Sequence, residues 1–343
     1  MRSWVSAALW LVLTVLHIST SLVEPDWDCL MRAVDPGGPI WLVYVAKSDI
    51  HLHALLLLSP LVLMPLGLGL CEDSSVHQVP WIEIVAASLL GLSLMVRPVD
   101  PRVMIATEPE LRRIVPLGFL CSMPWLLVRG RDAVAVLVGW IRGGVPGHAG
   151  LCMQSARIFP AIGAAWLVAN RSGWTPWRFD PLIVLLTAAH FHHAGFTLPL
   201  MAGLNAKTRP NWLAKSSCIA VLVGVPFVAA GITCTHFGVL RFVEPFGVTV
   251  LVLGALGVAV SQLMRGIEFR GGLSFWTRTG FLVSGASLFT AMVLALGFGL
   301  RYVLPDWALT MPQMWMIHGT LNAFGFGLCG ILAWRLRRNE EGA

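Results

Sequence analysis

The chain has 343 residues, of which 56% are hydrophobic and only 12% charged, with a mean hydropathy of +0.74. A soluble domain is roughly 25% charged, so the composition excludes a water-dissolved globule and specifies an all-α, polytopic transmembrane helix bundle. The net charge of +6 comes from basic residues in short loops between apolar runs, with no basic tract interleaved with aromatics. That pattern excludes nucleic-acid binding and fits positive-inside topology.

In chain order, apolar runs long enough to cross a bilayer occur at 4–22, 51–70, 80–96, 153–169, 181–203, 216–238, 242–264, 279–303 and 312–334. The stretch 116–141 is interrupted by Arg129, Gly130, Arg131 and Asp132 and reads as one broken span or a hairpin of two short ones, so the count is about ten spanning helices. The run 4–22 lacks a small-x-small cleavage site, which predicts a retained first helix rather than a secretory leader. Residues 23–50, with Pro25, Pro36 and Pro39 before the short run IWLVYVA, predict an interfacial segment. The chain is thus one integral membrane domain, 1–343. It comprises the first helix and interfacial segment (1–50), a helical core (51–335) and a cytoplasmic tail (336–343). The seven cysteines form no CxxC pair and predict small buried hydrophobes rather than a disulfide framework.

Orientation follows from the basic residues of the second half. With the C-terminus in the cytoplasm, that side receives eleven: Arg142, Arg157, Lys207, Arg209, Lys215, Arg265, Arg270, Arg278, Arg335, Arg337 and Arg338. The other side receives four, Arg171, Arg178, Arg241 and Arg301. The bias predicts a cytoplasmic C-terminus. In the first half, Arg97, Arg102, Arg112 and Arg113 share a connector that is cytoplasmic only if 116–141 is a hairpin.

Ionisable groups inside a bilayer are costly and mark candidate sites. In the run from Thr187 to Thr197, helical spacing puts Thr187, His190, Ala194 and Thr197 on one stripe with His193 alongside, while His192 points nearly opposite His190. In the run from Met311 to Cys329, Trp315, His318, Asn322 and Gly325 form a second stripe. Both helices run from outside to inside in this topology. His190 lies about 13 Å of rise beyond Pro181, and Asn322 about 15 Å beyond Pro312, so both clusters fall near mid-membrane at matching depth. Histidines and asparagines that only bridge helices, at about 1 kcal/mol each, are the alternative.

A metal site could use His190, His193 and His318 with one open position. His51 and His53 are two apart on a helix and cannot face one point. Glu83, Glu244 and Asp180 fall near helix ends, leaving no mid-span carboxylate, so neither a di-iron centre nor a bis-histidine haem fits and no metal or cofactor is expected. Metal-free acid–base chemistry fits better. A histidine pair with an asparagine can hold a proton at one position and accept one at another. Catalytic candidates are His190, His193, His318, Asn322 and Thr187, the last two orienting the rings. Substrate-binding candidates are His192, Phe191, Phe196, Trp315 and Phe326, and an aromatic, apolar pocket suits a lipid or isoprenoid-type substrate.

The run PLIVLLTAAHFHHAGF at 181–196 resembles the signature of the YndJ-like bacterial membrane proteins, as does MIHGTLNAFGF at 316–326 and, more weakly, LLLLSPLVLMPLGL at 55–68. The resemblance implies a multi-pass protein of the bacterial cytoplasmic membrane and a family labelled transporter-like. His193 stands where the resemblance leads one to expect an aromatic, so His190, His192 and His318 are the residues it carries best.

The sequence therefore supports first a membrane-embedded enzyme acting on a lipophilic small molecule, for instance by cyclisation or isomerisation. The alternatives are a secondary transporter with a mid-membrane histidine proton relay, and an accessory or structural membrane protein. Partners are the bilayer and a lipophilic small molecule, with the oligomeric state open.

Overall fold

A computed structural model describes residues 2–23, 50–71, 79–95, 111–268 and 272–341. The expected interfacial segment, Cys29, and the connector carrying Arg97 and Arg102 lie outside the described residues. The described residues contain no strand, as lipid requires: with no water to satisfy stray N–H and C=O groups, apolar runs close their hydrogen bonds within a helix.

The first helix, α1, is Arg2–Val23. Helix α2 consists of Ile50–Leu58, a π-helical turn Ser59–Leu63, and Met64–Cys71. Then come α3 (Trp81–Met95), α4 (Leu111–Gly143) and α5 (His148–Arg171). Helices α6 (Pro181–His193) and α7 (Thr197–Thr208) are the two halves of one interrupted span. Helices α8 (Trp212–His236), α9 (Val243–Ile267) and α10 (Phe275–Gly299) are continuous. The last rod, α11, starts as Met311–Gln313, passes through π-helical turns Met314–His318 and Leu321–Leu328, and ends as Cys329–Glu341.

Six helices are long and apolar enough to cross a membrane, or seven if the bent last pair is one span. The expected ten was too high. Trp81–Met95 and the described apolar part of α1, Arg2–Leu16, are short, and α4 carries too much charge in its middle to pass on composition.

The stretch 116–141, read as one broken span or a hairpin of two short ones, is also corrected, because α4 is one unbroken helix. Its charges do not break it because they are neutralised where they stand. Arg129 lies 3.0 Å from Glu83 of α3 and 3.2 Å from Asp132 one turn on, and its side chain is 1% exposed. Arg142 and the connector before α4 therefore sit at opposite ends of one helix. If α4 crosses the bilayer, Arg97, Arg102, Arg112 and Arg113 join the four on the far side, giving eleven against eight. The orientation then rests on the second half, whose alternation from α5 to α11 is unaffected. We expect single cysteines in the 204–215 and 272–278 connectors to resist a membrane-impermeant thiol reagent in intact cells and to react after permeabilisation. Labelling in intact cells would invert the orientation.

Three rods are interrupted at one level of the bundle. In α2, Pro60 supplies no N–H and the helix widens to a π turn. Between α6 and α7 the chain turns at Ala194, Gly195 and Phe196, with Gly195 N–H donating to the His190 carbonyl (3.0 Å) and Phe196 N–H to that of His193 (3.0 Å). A Cβ on Gly195 would lie 2.4 Å from the Phe191 carbonyl oxygen, so this turn requires glycine. The third interruption is in α11, where the helix bends by 40° near Gly319 and Thr320. Around them lies the core, with Leu56, Leu61, Leu63, Met64, Phe196 and Phe326 fully buried.

Candidate functional site

His190, His193 and His318 are each anchored by one ring nitrogen to a backbone carbonyl. His193 Nε2 is 2.7 Å from the Leu55 oxygen of α2, His190 Nδ1 is 2.7 Å from the Leu186 oxygen, and His318 Nδ1 is 2.9 Å from the Ala291 oxygen of α10. A carbonyl can only accept, so those nitrogens carry the proton and, in neutral rings, the lone pairs fall on His190 Nε2, His193 Nδ1 and His318 Nε2. His318 Nε2 accepts from the Asn322 side-chain amide (3.1 Å), which also donates to the His318 carbonyl (2.9 Å). His193 Nδ1 is buried with no hydrogen-bond partner.

The rings share a neighbourhood. His190 acts electrostatically on both His193 and His318, across α6 and α11. His51 of α2 reaches Thr320 of α11, Nε2 to Oγ1, at 3.1 Å beside the bend. His190 is exposed. His318 and His193 are partly accessible beside it. Among the described residues, no three His, Cys, Asp or Glu side chains are placed to hold a metal ion.

Other candidates lie elsewhere. The Thr187 hydroxyl donates to the Ile183 carbonyl (2.7 Å), back along its own helix rather than to a ring. Phe191 is buried against Phe159 of α5, and Phe196 and Phe326 are packed in the core. Trp315 is half-buried.

His192 belongs to a different network. It is fully buried on the face of α6 turned towards α4 and α5, where a Cβ on Gly163 would come within 2.6 Å of its Nδ1. Nδ1 donates to the Ala188 carbonyl (2.8 Å) and Nε2 accepts the indole N–H of Trp125 (2.8 Å), so both nitrogens are occupied. The Arg129 guanidinium sits 4.7 Å above the Trp125 ring, continuing the chain to Glu83 and Asp132. Sequence reasoning missed this cluster because it read 129–132 as an interruption of the span. The helical spacing of Trp125, Arg129 and Asp132 was the available signal. Replacing His192 by alanine strands the Trp125 N–H and opens a void, so we expect a stability loss of about 2–4 kcal/mol, read as a lowered unfolding temperature in detergent.

Fold and site together define an all-α multi-pass membrane protein with a histidine cluster where interrupted helices meet. The chain belongs to the family of YndJ-like proteins, whose model matches residues 54–326. It is 31% identical over 188 residues to the uncharacterized membrane protein YndJ of Bacillus subtilis (strain 168). That match covers 52% of this chain and 31% of the relative, so the chain spans about a third of the relative's length. No solved structure matches it.

Proposed function

We propose that the chain is a secondary transporter that couples proton movement to a small solute at the His190 cluster. The observation that carries this reading is the convergence of three interrupted rods, α2, α6–α7 and α11, on one histidine cluster. Helices broken at mid-membrane expose backbone groups and supply hinges, as transport sites require, and π turns concentrate at functional positions. His190 Nε2, on the exposed ring, takes the proton first. His318 Nε2 is covered by the Asn322 amide and accepts a proton only when that amide withdraws, so the α11 bend acts as the gate. The lone pair of His193 Nδ1, buried and unpartnered, gives the proton a third position.

The second reading is acid–base catalysis on a lipophilic substrate. It draws on the exposed ring of His190 and on Trp315 and Phe324, which are half-buried. The aromatic pocket it calls for is weakened by the burial of Phe191, Phe196 and Phe326 in packing. The readings separate in one pair of measurements. Transport predicts that liposomes containing the purified protein and an entrapped pH dye change lumenal pH when a potassium diffusion potential is imposed. It also predicts that cellular lipid extracts are unchanged by deletion of the protein. A lipid species present only with the protein and lost in His190→Ala, without proton flux, would establish the enzyme instead.

A further inference from the structure

A second polar centre lies away from the histidines, where α7 ends, α8 begins and α9 finishes. A cavity of about 50 Å³ is lined by Asn205, Arg209, Asn211, Ser261 and Arg265, with apolar walls from α8 and α9. Arg265 is 2% exposed, although it stands in the last turn of a spanning helix. Its Nε donates to the Asn205 side-chain oxygen (3.0 Å), and its Nη2 to the Thr208 hydroxyl (2.6 Å) and the Asn205 carbonyl (3.4 Å). Nη1 is buried with no hydrogen-bond partner, and so is the Asn205 amide nitrogen. The indole of Trp334 closes one face of the guanidinium at 4.7 Å.

Among the described residues, no carboxylate forms an ion pair with this charge. The ionisable groups acting on Arg265 are Arg337, Arg209, Glu268 and Glu341. Glu268 is paired to Arg209, which holds its carboxyl below the usual range, and Glu341 is 2.6 Å from Arg337. Three arginines and two glutamates leave one positive charge over, the buried one. An unpaired buried charge is costly unless a counter-ion meets it. The same cavity receives the N-terminal end of α8, a 25-residue helix whose first turn is capped by Asn211 through a 2.8 Å bond to the Ala214 N–H. Helix N-termini favour anions. The polar wall is thus dominated by donors (guanidinium, amide N–H, hydroxyl, helix start), with Arg209 at the rim.

We propose that this cavity is a binding site for a phosphate group, held by Arg265, Asn205 and the start of α8. The volume fits one phosphate and not a nucleotide. The same group can arrive free in solution or as a phospholipid headgroup. Exposed Trp212, Met264 and Ile267 surround the site with apolar surface that acyl chains can cover.

The test uses full-length protein purified in a phosphate-free maltoside and stripped of lipid. Inorganic phosphate, phosphatidic acid and, as a phosphate-free control, diacylglycerol are each titrated while unfolding temperature and bound mass by native mass spectrometry are followed. We expect phosphate or phosphatidic acid to raise the unfolding temperature and diacylglycerol to leave it unchanged. A response to inorganic phosphate assigns a free anion, and a response to phosphatidic acid alone assigns a headgroup. Ser261→Asp places a carboxylate in the cavity, satisfies Arg265, and should abolish binding while keeping the fold. Arg209→Gln, at the exposed rim, should weaken binding several-fold. Arg265→Gln should abolish it, but carries the risk of misfolding that the other two avoid. Absence of any response to both phosphate compounds, or wild-type binding in both Ser261→Asp and Arg209→Gln, overturns the proposal.

Discussion

Replacing Arg129 by methionine is expected to produce the largest loss of stability of any single change in the described bundle. The substitution keeps much of the side-chain volume but removes the only buried cation beside Glu83 and Asp132, both within 3.2 Å of it. Arg131 approaches Asp132 at 3.7 Å but is largely solvated, so it offsets little. Removing one partner of a buried pair costs about 3–5 kcal/mol, because the remaining charge stays desolvated. The Trp125 ring also loses the cation stacked on it. The measured outcome should be poor expression or a markedly lower unfolding temperature in detergent. Adding Glu83→Gln and Asp132→Asn to Arg129→Met should restore much of that loss, since an uncharged trio carries no unpaired ion. A single Arg129→Met variant as stable as wild type would show that water reaches the cluster.

The class of the fold was legible because lipid imposes one solution on long apolar runs. The rise along two parallel helices put His190 and Asn322 at similar depth in the sequence reading, and it is by that argument alone that the sequence groups the two motifs. What the sequence hid was the compensation of charge at a distance. Arg129 and Asp132 read as an interruption of the span because their partner, Glu83, lies on another helix far away in the chain. His192 could be assigned a direction by helical periodicity, but not the Trp125 indole waiting there. Arg265 counted as a topology signal, although it is turned inward onto Asn205. The π turns of α2 and α11 left no periodic trace, because a single widened turn shifts the pattern by less than the scatter of apolar residues in a membrane helix.

His190→Ala is expected to have the largest effect on function. Of the three imidazoles His190 alone is exposed, and with Nδ1 bonded to the Leu186 carbonyl its acceptor is Nε2. Its loss removes the entry point for protons, while the helix keeps its apolar packing and loses one bond to Leu186. A positioned acid–base group typically contributes about a hundredfold or more to rate. His318→Ala should act similarly, because it removes the acceptor that Asn322 covers. Asn322→Leu, by contrast, should uncover that acceptor and loosen the gate, raising uncoupled proton leak rather than abolishing flux.

Proton flux in liposomes of equal protein content is the direct measurement. Wild type, His190→Ala and His318→Ala are compared under the same potassium diffusion potential, each first shown monodisperse and of near wild-type unfolding temperature. A sharp loss of flux in both folded variants is the expected result. Flux at wild-type rate in either one would remove the histidine cluster from proton movement and leave both residues as helix-bridging side chains.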